Sequence, residues 1–114
     1  MAKLIHKNKI ILDYMDYLTN PLKILTGLMF SGENKISKGV CLVKSREDKI
    51  GVTMLFCFYP LEILFIDSNF KVVDKVILKP WILSYTPKKS YKHIIESSVG
   101  KFKDINIGDK IKIK

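Results

Sequence analysis

The chain has 114 residues and a mass of 13.2 kDa, 47% of it apolar and 11% aromatic, with six glycines, four prolines and two cysteines. That is the size of one globular domain over residues 1–114, able to bury roughly two-thirds of its unfolded surface without a disulfide or metal staple, and too rich in Ile, Leu and Phe for disorder. Its formal charge of +9 bears on solubility and attraction to polyanions and does not define a binding site.

From the N-terminus, MAKLIHKNKIILDYMDY breaks its apolar residues with His6, Lys7, Asn8, Lys9 and Asp13, so it does not read as an export signal. Lys9-Ile10-Ile11-Leu12 reads as a short strand beginning as early as Leu4. In Thr19–Gly27, Asn20 suits a cap, Pro21 the first helical position and Gly27 the left-handed residue after the last turn, which predicts a helix of about two turns. Ser31–Lys35 is predicted as a loop, Gly39–Val43 as a strand and Lys44–Lys49 as a turn. The longest uncharged run, Ile50–Leu61, is twelve residues, well short of the roughly 20 that span a membrane as a helix. Pro60 bars a continuous helix, so Val52–Phe58 and Leu61–Ile66 are predicted as two strands meeting at a proline bend. Cys41 and Cys57, in VCLV and FCFY, are expected to be buried, inert thiols, and a cytoplasmic location follows as the default.

Asp67-Ser68-Asn69 is a turn signal, and Lys71–Leu78 is the returning strand of a hairpin, broken by Lys79-Pro80-Trp81. After Pro87-Lys88-Lys89, Tyr91–Glu96 alternates as a strand, and Val99, Phe102 and Ile105 share one face of a helical turn. Ile107–Lys114 turns into a strand with Ile111 and Ile113 inward and lysines outward. About seven short strands with one or two short helical segments predict a mostly β, β-rich α+β chain forming a single antiparallel barrel-like or sandwich domain.

No phosphate loop, Rossmann glycine pattern, nucleophile elbow or metal-spaced Cys/His set is present, and the two histidines, His6 and His93, are far apart in sequence. Glu62 stands out because an alternating strand places it with Leu64 and Ile66 on an otherwise apolar face. It is read either as a partly buried carboxylate able to act as acid, base or cation ligand, or as a structural acceptor for backbone N–H groups or a lysine. Trp81 is read as a pocket wall or a core plug. Nineteen of the twenty basic residues are lysine, with Arg46 alone, which favours a compositional bias over a nucleic-acid reader built on arginine forks. Residues 79–114 nonetheless hold nine basic and three acidic side chains, and Lys88, Lys89, Lys92, Lys101 and Lys103 are the candidate polyanion contacts.

Gly27-Leu28-Met29-Phe30, Gly39-Val40 opening a strand, and Met54 five residues before Tyr59 form the first half of an ordered set of motifs. Pro60-Leu61-Glu62, Asp67, Val72-Val73, Lys79-Pro80-Trp81, Ile95-Glu96 with Gly100, and Gly108-Asp109 complete it. Over residues 8 to 114 the order and spacing resemble the domain of unknown function 192 family, also catalogued as uncharacterised protein family 0127. Glu62 replaces the family's usual Asp, Lys23-Ile24 stands where a Glu-Arg pair is common, and Lys79-Pro80-Trp81 resembles the archaeal-type branch. The resemblance implies a mostly β, barrel-like fold and supplies no activity, substrate or cofactor.

Three functional readings follow. The first is a non-catalytic binding module for a small molecule or peptide, with a candidate pocket at Met54, Glu62, Trp81 and Glu96. The alternative is weak, non-specific nucleic-acid binding through the lysine-rich C-terminal third, and the third is a hydrolase using Glu62 with Glu96 or Asp67. Catalytic residues are not identified, no cofactor or metal is expected, and the chain is expected to be a monomer without a membrane span.

Overall fold

Leu61–Ile66, the most continuously apolar strand, is buried at all six positions. Successive side chains point to opposite faces, so both faces of this strand must carry a core. In chain order the elements are β1 (Ala2–His6), β2 (Lys9–Leu18), α1 (Glu33–Lys38), β3 (Val40–Asp48), β4 (Leu61–Ile66), β5 (Val72–Leu78), β6 (Tyr91–Ser98) and β7 (Lys112–Ile113). They are those of a computed structural model that describes residues 2–19, 28, 31–54 and 56–114. Beyond Thr19, the helix predicted over Thr19–Gly27 lies outside the described residues, as do the motif residues Gly27 and Met29.

Among the described residues the strands form one sheet in the order β5-β4-β6-β3-β2-β1-β7, antiparallel except for the β2–β3 pair. The mostly β, barrel-like prediction holds: the sheet curls into a half-barrel. Its edges touch at one end, where Lys71 bridges Lys110 and the Val72 N–H donates to the Asp109 carbonyl at 2.9 Å. Inside the curl lies one core, built from Leu4, Leu12, Met15, Leu64, Ile66, Ile95 and Phe102 among others. A second core, with Val40, Leu42, Met54, Leu61, Ile63, Phe65 and Ile94, covers the outer face.

Five elements differ from the sequence reading. Lys44–Lys49 is predicted as a turn, yet β3 continues through Asp48, which pairs with Tyr91, because the ladder to β6 supplies backbone partners that the polar side chains do not forbid. The one strand read over Lys9–Leu12 and as early as Leu4 is instead the β1–β2 hairpin, since Lys7 and Asn8 take left-handed backbone and turn the chain. Ser31–Lys35 is predicted as a loop, yet Glu33–Lys38 is helical. Its last turn is closed by the Gly39 N–H on the Ile36 carbonyl at 3.0 Å, and the Ser97 hydroxyl donates to the same carbonyl at 2.9 Å. The helix thus rests on β6 more than on its own propensity. Among the described residues of Val52–Phe58, predicted as a strand, only Val52 bridges, to Tyr85, and Phe56 has a left-handed backbone at φ 60° that breaks an extended run. The helical turn predicted at Val99–Ile105 is a series of turns, with Phe102 and Ile105 buried and Val99 exposed.

Gly39 shows how closely α1 is joined to the sheet. It has φ 83°, and a Cβ there would lie 2.7 Å from a Leu12 methyl and 3.2 Å from the Glu96 carbonyl. Gly39→Ala should therefore cost about 2 kcal/mol, read as a fall in the urea unfolding midpoint. A midpoint within error of the parent protein would contradict this packing.

Candidate functional site

Glu62 sits on the inner face with Leu64 and Ile66, and its partner across the ladder is Ser97. Its carboxylate accepts the N–H groups of Gly100 at 2.8 Å and Phe102 at 3.2 Å and lies 3.7 Å from the Lys75 ammonium. Lys75 in turn donates to the Phe102 carbonyl at 2.5 Å and the Ile105 carbonyl at 2.8 Å. Together they clasp the turn after β6 against the sheet. Gly100 permits the clasp, because at φ 98° it takes a conformation that L side chains rarely adopt.

Glu96 points the other way. It is in register with Ile63 and Val40, both members of the outer core. A carboxylate and its cross-strand partners share a face, so Glu62 and Glu96 lie on opposite sides of the sheet and do not form an acid–base pair. Burial raises the Glu96 carboxyl to about 7. The Cys57 thiol is raised to about 11, first by burial and then by the nearby Glu96 charge, while burial alone raises Cys41 to about 12. Both cysteines are free and buried.

Of the four candidate pocket residues, Met54, Trp81 and Glu96 belong to this outer side and Glu62 does not. Met54 is buried, and its carbonyl accepts the N–H of Cys57 at 3.0 Å and of Trp81 at 3.1 Å. This pins two loops together and sets the Trp81 indole between two phenyl rings. Phe56 and Phe58 meet it edge-on with centroids at 5.3 and 5.6 Å. All three rings are exposed, at 39%, 52% and 46% for Phe56, Phe58 and Trp81. Trp81 has φ 67° and Phe56 φ 60°, so strained backbone, at a cost of about 1–3 kcal/mol per residue, holds large apolar rings outward. Next in the chain, Tyr59 and Pro60 form one wall of a cavity of about 360 Å³, completed by α1, which contributes Glu33 and Asn34 as well as Ile36 and Ser37, and by Ser98 and Val99. Ser98 lies two residues beyond Glu96 on the same face of β6. Sequence reading found Trp81 but not its neighbours Phe56 and Phe58, which it assigned to a strand.

The other acidic groups have structural partners. Asp67 accepts the N–H groups of Asn69 and Lys71, and buried Asp74 accepts the Tyr85 hydroxyl at 2.6 Å and the Lys75 and Lys88 N–H groups. Asp109 holds His6 at 2.8 Å and accepts the Asn106 N–H; that backbone bond, and then His6, keep its carboxyl below the usual range. Among the described residues no three His, Cys, Asp or Glu side chains gather as a metal site. No helix among them is long and apolar enough to cross a membrane. Lys88 and Lys89 precede β6, Lys92 lies within it, and Lys101 and Lys103 follow it. An eight-residue strand, roughly 26 Å long, separates the two pairs, well beyond the screening length of about 8–10 Å at ordinary salt. Leu28 is buried in the outer core, whereas Pro60 is exposed and Pro80 half-buried; Gly108, at φ 99°, shapes the turn that carries Asp109.

Comparison with known proteins agrees with the motif order. The profile of the DUF192 family, described as Uncharacterized ACR, matches residues 7–113. A UPF0127 protein of Pyrococcus horikoshii is 36% identical over 95 residues, which are 80% of this chain and 79% of that one. One from Pyrococcus furiosus is 30% identical over 99 residues, 83% of this chain and 82% of that one. A crystal structure of a protein of unknown function from Novosphingobium aromaticivorans superimposes with a TM-score of 0.85 at 17% identity, over 97% of this chain and 82% of that one, a likeness of fold.

Proposed function

We propose, from the premise that this chain belongs to the DUF192 (UPF0127) family and to its archaeal-type branch, that it is a non-catalytic binding module for a small molecule or peptide. The contact surface is the aromatic platform of Phe56, Trp81 and Phe58, continued through Tyr59 into the cavity beside α1. One observation carries the reading: two of the three rings sit on left-handed backbone and all three stay exposed. A core plug would be buried, whereas exposed aromatic clusters mark recognition surfaces, where rings add contact area at small entropic cost. The cavity's volume suits a small ligand or one peptide side chain. The nucleophilic group described beside these rings, the Cys57 thiol, is buried and raised to about 11 by burial and the Glu96 charge, so it stays protonated, which favours recognition over catalysis.

Trp81 is the chain's single tryptophan, so its fluorescence reports the site directly. Titration with a panel of short apolar peptides and aromatic small molecules should shift its emission for some members at or below about 1 mM. For those members Phe58→Ala should weaken binding about tenfold and leave the unfolding midpoint nearly unchanged. A panel that leaves the emission unmoved, or binding that survives Phe58→Ala intact, would overturn the proposal.

A further inference from the structure

Five non-glycine residues among those described have a left-handed backbone: Phe56 and Trp81 at the aromatic platform, and Lys7, Asn8 and Phe70 at the touching edges of the half-barrel. The second group lines one groove. There the β1–β2 turn at Lys7-Asn8, the β4–β5 turn at Asn69-Phe70 and the segment Lys110–Lys112 enclose about 320 Å³. This lies at the small end of the range of ligand pockets, about 300–1,000 Å³.

The lining has a definite chemical character. Lys7, Lys110 and Lys112 are exposed, Asn8 and Asn69 contribute amides, and no acidic residue lines the groove. Among the described residues none of these three ammonium groups is ion-paired; Lys110 donates to the Asn69 carbonyl at 2.9 Å, which joins two of the turns. The carboxylates nearby in the chain are hydrogen-bonded elsewhere, Asp109 by His6 and the Asn106 N–H, with the Lys7 charge only a weaker influence on it, and Asp67 by two N–H groups of its own turn. Phe70 supplies the apolar surface. Its ring lies against the buried His93 ring, with centroids 4.9 Å apart and planes 30° apart, and it remains 40% exposed. An exposed aromatic ring beside three lysines with no carboxylate in contact among the described residues combines the two elements that hold nucleotides, a stacking platform and a phosphate clamp.

We infer that this groove binds a nucleoside phosphate, with the base on Phe70 and the phosphate on Lys7 and Lys112. The site is separate from the aromatic platform and stands or falls independently of it. A free mononucleotide and the end of a single-stranded RNA present the same chemistry.

The test is amide NMR of the isotope-labelled protein titrated at constant ionic strength with AMP, adenosine, ribose 5-phosphate and pentaadenylate. AMP should shift the amides of Lys7, Asn8, Asn69, Phe70 and Lys110–Lys112 at or below about 1 mM, and adenosine and ribose 5-phosphate should each bind more weakly. Lys7→Gln with Lys112→Gln should weaken AMP about tenfold at an unchanged unfolding midpoint, since both side chains are exposed. Lys88→Gln with Lys89→Gln removes the same charge elsewhere and should change nothing. Equal weakening by the two double variants, or AMP shifts absent from the groove, would overturn the inference. Pentaadenylate giving the same shifts at lower concentration would support it with an RNA strand as the source, and pentaadenylate no tighter than AMP would support it with the free nucleotide.

Discussion

Replacing Glu62 with alanine should destabilise the protein by about 3 kcal/mol, a large share of the roughly 5–15 kcal/mol that holds a domain of this kind together. The carboxylate accepts two backbone N–H groups and faces the Lys75 ammonium, at a position only 3% exposed. Its removal leaves the Gly100 and Phe102 N–H groups without their acceptor, and leaves the Lys75 ammonium, still bonded to two carbonyls, without its counter-charge. Glu62→Gln retains an amide oxygen to accept the same N–H groups and should cost about half as much. Urea unfolding followed by circular dichroism measures both. A cost below about 1 kcal/mol for Glu62→Ala would show that the turn holds without the clasp. Because Glu62 is on the inner face, the alanine variant, where folded, should also leave the Trp81 fluorescence response intact.

Stability should fall as pH rises through the range in which Glu96 ionises. Burial raises its carboxyl from 4.5 to about 7, so between those values the folded protein retains a proton that the unfolded chain has released. The folded state is then favoured less with each step upward in pH, and the loss levels off above about 7, where it totals about 3 kcal/mol. His93 acts in the opposite sense. Burial lowers its pKa from 6.5, with the Lys92 charge adding to this and bonds toward the Asp67 and Ile66 backbone opposing it, so its contribution rises with pH through the region below 6.5. The two trends overlap, and the difference between the parent protein and Glu96→Gln isolates the first. At pH 4 the two proteins should be about equally stable. At pH 8 the glutamine variant should be more stable by about 3 kcal/mol. A difference that does not change with pH would mean that the Glu96 carboxyl ionises as freely in the folded chain as in the unfolded one.

Much of the fold is legible in local sequence because local chemistry decides it. Pro60 ends one segment, Asp67-Ser68-Asn69 supplies side-chain acceptors for a tight turn, and the β-branched runs on either side become β4 and β5 as expected. Ile111 is buried while Lys112 and Lys114 are exposed, as strict alternation requires. The helix α1 was harder to see, although Glu33 in its first turn, Lys38 in its last and Gly39 after it are ordinary helix signals. Only one of its residues, Ile36, is buried, so no apolar stripe marks it. Val52–Phe58 misleads for the opposite reason. Its aromatic and β-branched content suits a strand, but its buried side chains, Met54 and Cys57, pack on the outer face of a sheet that is already complete.

Local sequence carried which residues are apolar enough to be core, the break at Pro60 and the turn at Asp67–Asn69, and that Glu62 is out of pattern on its own face. It also carried the motif order that places the chain in its family. The tertiary structure alone decided what those residues meet. Glu62 pairs across the ladder with Ser97 and Glu96 with Ile63, and that one-residue difference sends the two carboxylates to opposite faces, one to clasp a turn and the other into the outer core. Strand register depends on the pairing of segments far apart in the chain, as with Glu62 and Ser97; a slip of one residue would reverse every side chain, and no window of local sequence contains that information.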